Sequence, residues 1–325
     1  MKEMKVLITG GAGYIGSHIV TLLGQQGYDL VIYDNLSTGH RHAVHYGKFI
    51  QGDLADHDHL DRVMKEEKVT AVIHFAGSII VPESVEKPID YYQNNTVNSL
   101  NLIRLCTENK IKNFIFSSTA AVYGMPASGV ASEETETIPI NPYGRSKLMT
   151  EWTLEDVAAA TDFRYVALRY FNVAGAHVGG LVGQNSPLST HLIKLACETA
   201  LGKRPALTVF GEDYETPDGS CIRDFIHVDD LAQAHLDALL YLKNGGESQF
   251  MNCGYGKGFS VKEVIEVVKR ISGVDFKVIK GPRRAGDPPV LISKAEKIKR
   301  VLGWKPQYQD LDLIVKNAYD WEKKR

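Results

Sequence analysis

The feature that most constrains this chain is a glycine-rich turn near its amino terminus, between an apolar run and an amphipathic segment. The apolar run covers residues 4–8, the glycines are Gly10, Gly13 and Gly16, and the amphipathic segment ends near Gln26. This order predicts a strand, a tight turn and a helix. Glycines let the backbone approach a pyrophosphate closely, while the free N–H groups and the dipole of a helix start favour its negative charge. The turn therefore predicts a dinucleotide site.

An acidic residue after the next apolar run strengthens the nucleotide interpretation. The G-x-x-G-x-x-G spacing differs from the G-x-G-x-x-G fingerprint, and alone it also fits an ordinary strand-to-helix turn. Asp34 follows the run Leu30–Tyr33, about 20 residues after the glycines, where a carboxylate would bind the ribose hydroxyls. A carboxylate there would also repel a 2′-phosphate, and no Arg adjoins it. The pattern favours NAD over NADP.

The length of 325 residues exceeds a typical domain of roughly 100–200 residues, so we expect two units. We predict a Rossmann domain over 1–175, with 226–245 packing back on it, and a smaller substrate-binding domain over 176–325. The boundary rests on the change to irregular, glycine-rich sequence after Ala174, and the packing segment on the helical periodicity of Val228–Leu242. The net charge of −2 offers no general attraction for nucleic acid, so we expect no such partner.

Cysteine and histidine usage points away from disulfides and metals. The histidines His40, His42, His45, His57 and His59 lie among charged and turn-forming residues, so we expect no metal site. No run has the length of a signal peptide or a membrane span, so we expect a cytoplasmic protein without a membrane partner. Widely spaced cysteines without C-x-x-C spacing predict reduced thiols, of which Cys221 near Arg223 is better explained by packing than by catalysis. The four are Cys106, Cys197, Cys221 and Cys253.

Strand-like runs alternate with helix-length segments through the first half of the chain, which predicts an α/β fold with a Rossmann-type, doubly wound parallel sheet. Ligands bind beyond the carboxyl ends of the strands in such a sheet. Asp34, Asp53, Phe75-Ala76-Gly77 and Thr119 all fall at predicted strand ends. The predicted strands are Leu30–Tyr33, Phe49–Gln51, Ala71–Phe75, Phe114–Ser117 and Val166–Tyr170.

Tyr143 and Lys147 are the candidates for catalysis. They lie at i and i+4 after Pro142, a residue suited to the first turn of a helix, so both side chains share one face. Bringing the pKa of a phenol from about 10 to neutrality takes roughly 4 kcal/mol of preference for the phenolate. Lys147 and a nicotinamide cation would supply it, and the phenolate would take a hydroxyl proton as hydride leaves the same carbon. Thr119 would hydrogen-bond that hydroxyl.

The Tyr-x-x-x-Lys spacing also arises by chance, and Tyr319 with Lys323 repeats it. That second pair follows no site element and fits a solvated carboxy-terminal helix. Position distinguishes the two pairs, because Tyr143 and Lys147 come after the glycine turn, Asp34 and the Ser-Ser-Thr strand end.

Together these motifs resemble the extended short-chain dehydrogenases/reductases and, over essentially the whole length, the UDP-glucose (UDP-galactose) 4-epimerase family. The resemblance implies a UDP-sugar substrate for the smaller α/β domain, NAD as cofactor, inversion at carbon 4 through a 4-keto sugar, and a homodimer. The matching stretches are 11–18, 34–36, 114–119, 141–144, 169–172, 219–228 and 283–287.

By this resemblance Tyr143 is the base, Lys147 its electrostatic partner, and Thr119 stands for the family's serine. The implied NAD site comprises Gly10, Gly13, Tyr14, Ile15, Gly16, Asp34, Asn35, Leu36, Ser37, Thr38, Gly39, Asp53, Leu54, Phe75, Ala76, Gly77, Asn94, Tyr143, Lys147 and Tyr170. The implied substrate residues are Thr119, Phe171, Asn172, Leu192, Phe210, Arg223, Arg284, Asp287 and Leu291. Of these, Asn172, Arg223, Arg284 and Asp287 correspond to positions that hold UDP. Surface charge remains the alternative role for each arginine.

Two departures from the family pattern concern the cofactor and the sugar. Ile79 stands where many members have a lysine, which removes one candidate contact. Leu291 stands where some members have a tyrosine that narrows the pocket, so we expect room for an N-acetylated UDP-sugar.

Two other functions remain open on the same fold. A nucleotide-sugar dehydratase or decarboxylase usually needs an acidic pair after the hydroxyl residue, whereas here Ala120 and Ala121 follow Thr119. A non-enzymatic NAD-binding protein need not retain a tyrosine–lysine pair, because the fold alone does not determine function.

Overall fold

The computed structural model describes residues 4–186, 189–284 and 286–325. Within these ranges the chain forms fourteen strands and eleven α-helices, with 3₁₀ turns at Arg41–Ala43 and Ala120–Tyr123 and a π-helical turn at Tyr92–Val97. The strands are β1 (Lys5–Thr9), β2 (Asp29–Asp34), β3 (Lys48–Gln51), β4 (Ala71–His74), β5 (Asn113–Thr119), β6 (Val130–Ala131), β7 (Arg164–Tyr170), β8 (Asn172–Ala174), β9 (Leu207–Phe210), β10 (Ile222–His227), β11 (Gln249–Cys253), β12 (Gly258–Ser260), β13 (Val278–Gly281) and β14 (Val290–Ser293). The helices are α1 (Tyr14–Gln25), α2 (His57–Glu66), α3 (Val81–Glu86), α4 (Pro88–Tyr91), α5 (Asn98–Glu108), α6 (Pro142–Ala160), α7 (Leu192–Ala200), α8 (Val228–Lys243), α9 (Val261–Ser272), α10 (Glu296–Leu302) and α11 (Leu311–Lys323).

Seven strands form one parallel sheet in the order β11-β7-β5-β4-β1-β2-β3. The order reverses at β1, between β2 on one side and β4 on the other, which is the switch point of a doubly wound fold. The predicted Rossmann-type parallel sheet is therefore confirmed. The structure adds β11, a strand that the sequence pattern did not predict.

The sheet is buried on both faces because successive side chains of each strand point to opposite layers. In β1, Val6 and Ile8 pack with the cluster formed by α1 and α8. Leu7, between them, packs with the cluster formed by α2, α5 and α6. Each fully buried aliphatic side chain contributes about 1.5–3 kcal/mol, so these two layers hold the strand ends in a fixed arrangement.

The remaining strands, together with α7, α9 and α11, form a smaller α/β layer. Strands β12, β10, β14 and β6 are hydrogen-bonded in that order, and β8 pairs with β10. Strand β13 pairs with β9, and α7, α9 and α11 enclose a separate apolar cluster. Arg223 lies in β10, between β12 and β14. The division of the chain near residue 175 stays a prediction.

Two further expectations from the sequence concern membrane-spanning helices and the cysteines. No helix in the described ranges combines the length and the apolar character needed to cross a membrane. All four cysteines are buried and unpaired. The cytoplasmic location stays a prediction.

Candidate active site

The glycine turn has the geometry that a bound pyrophosphate requires. Gly10 follows β1 with a φ of 72°, a conformation that L side chains rarely adopt. A Cβ on Gly10 would lie 2.6 Å from the Ala76 nitrogen, and a Cβ on Gly16 would lie 2.3 Å from the Gly10 oxygen. Gly13 precedes α1 without a side-chain cap, and the first turn of α1, which includes Tyr14 and Ile15, carries no acidic residue. The N–H groups of this helix start are therefore free to bind an anion.

Asp34 connects the glycine turn with the loop after β2. Its buried carboxylate accepts hydrogen bonds from the Ala12 nitrogen at 2.9 Å and from the Leu36 nitrogen at 2.8 Å. A carboxylate offers about four acceptor positions, so capacity remains for ribose hydroxyls. A Cβ on Gly39 would lie 2.8 Å from the carbonyl carbon of Ala12. The loop that contains Ser37 and Thr38 therefore packs directly on the glycine turn.

A second polar pair lies at the ends of β2 and β3. Asn35 Nδ2 donates to Asp53 Oδ2 at 2.8 Å, and Asp53 Oδ1 accepts from the Ala55 nitrogen at 2.9 Å. Leu54 is buried beside them. These contacts place Asn35, Asp53 and Leu54 at the edge where Asp34 lies.

The turn after β4 meets the end of β1. The nitrogens of Phe75 and Ala76 donate to the Thr9 carbonyl at 2.9 and 3.1 Å. A Cβ on Gly77 would lie 3.0 Å from Asn95 Oδ1 and 3.5 Å from Lys147 Nζ. The backbone at Gly77 therefore lies against the region that holds the candidate catalytic residues Thr119, Tyr143 and Lys147, which is called the catalytic end below.

Asn95 organises this turn, and no sequence motif predicted it. Its Oδ1 accepts from the Ser78 nitrogen at 2.7 Å, while its Nδ2 donates to the Ser78 carbonyl at 2.9 Å and to Ser146 Oγ at 3.1 Å. Its neighbour Asn94 donates to Ser78 Oγ at 2.9 Å. Both lie in the π-helical turn, a feature that is frequent at functional sites.

Helix α6 brings Tyr143 and Lys147 to the carboxyl ends of β4 and β5. Asn141 caps the helix by accepting from the Gly144 nitrogen at 2.8 Å, and Pro142 occupies its first turn. Tyr143 and Lys147 are only 7% and 3% exposed. Lys147 Nζ donates to the Ser117 carbonyl at 3.1 Å, so the ammonium is held beneath the end of β5.

The electrostatics of this pair follow from burial. Burial lowers the pKa of Lys147 to about 8, against the opposing charge of Glu151. Burial also raises the pKa of Tyr143, whereas a hydrogen bond with the Thr119 side chain lowers it. Lys147 is therefore mostly protonated at pH 7. A bound cation near Tyr143 would shift the phenol further toward the phenolate.

Tyr170 supports the same strand ends. It pairs in register with Thr119 across β5 and β7, and its hydroxyl is hydrogen-bonded to the hydroxyl of Ser117. Because the Ser117 carbonyl holds Lys147, Tyr170 is joined to the catalytic pair through a single residue.

The predicted phosphate-binding arginines share one carboxylate. Asp287 Oδ2 accepts from Arg284 Nε at 2.9 Å, and Asp287 Oδ1 lies 3.7 Å from Arg223 Nη2. The Arg284 guanidinium also lies 4.8 Å from the centre of the Phe210 ring. Guanidinium groups bind phosphate oxygens in a bidentate manner, so this cluster suits a diphosphate.

Leu291 joins the arginine cluster to the catalytic end. It pairs in register with Arg223 across β10 and β14, and it packs in a cluster with Phe171 and Ala120. Asn172 is exposed on β8, beside β10. Leu192 is different: it begins α7 and packs against the apolar cluster of α7, α9 and α11.

The remaining candidates are the histidines that could ligate a metal and the second tyrosine–lysine pair. In the ranges that the structure covers, no group of three or more His, Cys, Asp and Glu side chains is arranged to hold a metal. Asp56 caps α2 by accepting from the His59 nitrogen at 3.0 Å, so His57 and His59 lie in the first turn of a capped helix. Tyr319 and Lys323 lie on α11, where Tyr319 packs on the apolar cluster and Lys323 is exposed.

The model of the NAD dependent epimerase/dehydratase family matches residues 6–254 of the chain. The chain belongs to this family. It is 54% identical over 98% of its length to a UDP-glucose 4-epimerase of Azospirillum brasilense, of which 92% is covered.

Two solved structures resemble this family member closely. A UDP-glucose 4-epimerase from Brucella ovis in complex with NAD is 46% identical, with a TM-score of 0.94 and 98% of each chain covered. The UDP-Glc/GlcNAc 4-epimerase from Campylobacter jejuni is 53% identical, with a TM-score of 0.87 and with 99% of this chain and 100% of that chain covered.

Two alanine substitutions in the glycine turn test separately whether a glycine is needed for folding and whether it is needed for NAD binding. In Gly16→Ala the new methyl would lie 2.3 Å from the Gly10 oxygen, so we expect both a lower unfolding temperature and loss of NAD binding. In Gly13→Ala that distance is 3.3 Å, so we expect a small stability change. NAD affinity should still fall by about tenfold or more, because the methyl occupies the approach of the pyrophosphate.

After bound NAD has been removed from each protein, thermal unfolding and calorimetric titration with NAD measure the two effects separately. Wild-type NAD affinity in Gly13→Ala would contradict the assignment of this turn.

Proposed function

We propose that this protein is a UDP-glucose 4-epimerase, which inverts carbon 4 of a UDP-hexose through a 4-keto intermediate. The observation that carries this proposal is the burial of Tyr143 and Lys147, with Thr119 near enough to lower the pKa of the Tyr143 phenol, at the sheet edge that also holds the glycine turn and Asp34. The names of the relatives at 54% and 46% identity support the same activity.

The residues of the chain have distinct roles in this reaction. Bound NAD would accept hydride from carbon 4 and return it, so that no net oxidation occurs. Tyr143, as the phenolate, takes the proton of the sugar 4-hydroxyl and later gives it back. Thr119 orients that hydroxyl, and the Lys147 ammonium favours the phenolate. Because the sugar is inverted between the two transfers, the UDP portion must stay bound while the sugar ring turns.

The binding of UDP rests on the arginine cluster. Arg223 and Arg284 provide two guanidinium groups for the diphosphate, and Asn172 adds an exposed amide beside them on β8. Asp287 contacts both arginines and so fixes their positions relative to each other. Ile79, which stands where many members of the family have a lysine, is exposed.

Elimination chemistry has less support than epimerisation. Ala120 and Ala121 form the 3₁₀ turn that follows Thr119. Neither can transfer a proton, whereas a dehydratase needs acid and base groups beside the hydroxyl residue.

The activity test uses purified protein, UDP-galactose and no added NAD. We expect NMR to show UDP-glucose as the product, because the cofactor is regenerated in each turnover and would remain bound through purification. Tyr143→Phe should lose at least about a thousandfold in kcat while it retains UDP binding, since the general base is absent.

Tyr319→Phe is the matched control, because it removes the hydroxyl of the second Tyr-x-x-x-Lys pair and should leave kcat unchanged. A 4-keto-6-deoxy product, or a fully active Tyr143→Phe, would overturn the proposal.

We also propose that N-acetylated UDP-sugars are substrates. Leu291 is buried at the junction of the arginine cluster and the catalytic end, where a larger ring would reduce the space for the sugar. The relative from Campylobacter jejuni, named for both UDP-Glc and GlcNAc, supports this range.

Leu291→Tyr tests the width of the sugar pocket. We expect it to reduce turnover of UDP-N-acetylgalactosamine by at least about tenfold and to retain most turnover of UDP-galactose. Leu291→Met conserves volume and should keep both activities. Equal UDP-galactose turnover in wild type and Leu291→Tyr, with no N-acetyl turnover in either, would contradict the prediction.

Finally, we propose a homodimer formed through α5 and α6. Val97, the last residue of the π-helical turn, and Leu100, on α5, lie three residues apart, and Met149 and Trp152 lie three apart on α6. Their side chains are 41%, 46%, 37% and 54% exposed, in that order. Residues three apart share a helix face, and α5 contacts α6. Such an exposed apolar surface fits a second copy of the same chain.

Sedimentation should show a dimer for the wild type and a monomer for Trp152→Glu, because the new charge would be buried without a partner. Val278→Glu places the same charge at an exposed valine of β13 and should remain dimeric. A Trp152→Glu protein that stays dimeric would exclude this surface.

A further inference from the structure

A buried ion pair lies one helical turn beyond Lys147. Glu151 is 1% exposed and Arg169 is 5% exposed. Arg169 donates from Nε to Glu151 Oε1 at 2.9 Å and from Nη2 to Glu151 Oε2 at 2.6 Å, so the contact is bidentate. Buried ion pairs are weak sources of stability, because well-packed apolar residues often replace them without loss. Stability alone therefore does not account for the pair.

The pair is attached to the elements that carry the catalytic candidates. Glu151 is four residues after Lys147 on α6, so the two side chains lie on the same side of the helix. Ser118, the residue before Thr119, donates to Glu151 Oε1 at 2.5 Å. Arg169 is the register partner of Ser118 across β5 and β7. The carboxylate thus joins α6 to both strands at the site.

Arg169 is a fixed cation. Its Nη1 donates to the Tyr123 hydroxyl at 3.1 Å, and its guanidinium lies 4.9 Å from the centre of the Phe250 ring. Burial lowers the pKa of Arg169, but the hydrogen bond and charge of Glu151 outweigh it and leave the pKa above its usual value. Arg169 therefore holds the carboxylate in a single position.

Lys147 is the group that gains from this carboxylate. Its Nζ lies 4.8 Å from the centre of the Phe116 ring and donates to a carbonyl, so its immediate contacts carry no opposite charge. Two other ionisable groups face it: Tyr143 on the same helix and His74 on β4. Burial and the charge of Lys147 lower the pKa of His74 to about 3, so His74 is neutral near pH 7.

The remaining ionisable groups lie on the far side of Glu151. Tyr123, in the 3₁₀ turn, and Tyr165, on β7, both have a pKa raised above the usual value, chiefly by burial, and both lie within the field of Glu151. Both are therefore neutral near pH 7. Glu151 is thus the carboxylate that favours the charged form of Lys147.

We propose that Glu151 is a positioning residue for the epimerase reaction: its carboxylate keeps the Lys147 ammonium charged beside Tyr143, while Ser118 and Arg169 hold that carboxylate in place. This inference rests on the function proposed above. Glu151 touches neither substrate nor cofactor in this role and acts through Lys147.

The pH dependence of Glu151→Gln tests the proposal. Catalysis needs the ammonium, so activity is lost as pH rises through the pKa of Lys147. Without the carboxylate, Lys147 loses its proton at lower pH, so we expect the high-pH limb of kcat to move down by about one pH unit. The KM for UDP-galactose should change by less than about twofold. Glu155→Gln, the same change at an exposed position one turn further along α6, should leave the limb in place.

A double variant distinguishes an effect of the Glu151 charge on Lys147 from a purely structural role of the Glu151–Arg169 pair. Glu151→Gln leaves Arg169 buried without its partner and risks misfolding, whereas Glu151→Gln with Arg169→Gln removes both charges. If the carboxylate acts on Lys147, the double variant retains the lowered limb. A limb restored to the wild-type pH in the double variant would overturn the proposal.

A direct titration separates this proposal from the proposed function. In protein labelled with ¹³C-lysine, the Lys147 Cε signal, assigned by its absence in Lys147→Arg, reports protonation without any substrate. We expect its midpoint to fall by about one pH unit in Glu151→Gln and in the double variant. An unchanged midpoint refutes the role of Glu151, whereas a wild type that fails to convert UDP-galactose refutes the function instead.

Discussion

The site depends on keeping the ammonium of Lys147 out of water at the carboxyl ends of a parallel sheet. Burial lowers the pKa of this group to about 8, which means that the charged form is less stable there than it would be in water. In return the charge acts in a medium of low dielectric constant, where it influences a neighbouring phenol far more than it would in water. The remaining features of the catalytic end hold this cation in place without neutralising it.

The contacts that hold α6 are polar, short and internal. Ser146, between Tyr143 and Lys147, accepts a hydrogen bond from Asn95 at 3.1 Å. Asn95 is also hydrogen-bonded to both the nitrogen and the carbonyl oxygen of Ser78. The catalytic helix and the turn after β4 are therefore fixed by one amide. Because Gly77 lies within the same set of contacts, the cofactor-facing turn and the catalytic pair cannot move independently.

The parts of the site that could be predicted from the sequence are those determined by local rules. Gly10 and Gly16 satisfy backbone demands within one turn, and Tyr143 with Lys147 follows from helical spacing together with their place after the glycine turn and the Ser-Ser-Thr strand end. Asp34 required only the rule that parallel strands end at one edge. Asn95 and Arg169 act instead through partners 51 and 18 residues away, so no local pattern marks them.

The fold shows the same division between local and distant information. The strands from β1 to β7 that form the large sheet each contain a local apolar run, and their bounds were predicted to within about two residues. Strand β11 joins that sheet by pairing with β7, some 80 residues earlier in the chain. Its assignment therefore depends on tertiary contacts that periodicity cannot reveal.

The two ends of the substrate region differ in a way that suits an inversion. The proposed diphosphate end is polar and accessible: Arg284 is exposed and lies against the Phe210 ring. The proposed sugar end is bordered by the buried apolar side chains of Phe171 and Leu291. Strong polar contacts all around the sugar would favour one face of the ring and hinder its rotation. A firm hold on the phosphates, combined with an apolar wall near the sugar, allows either face of carbon 4 to be presented to the same Tyr143.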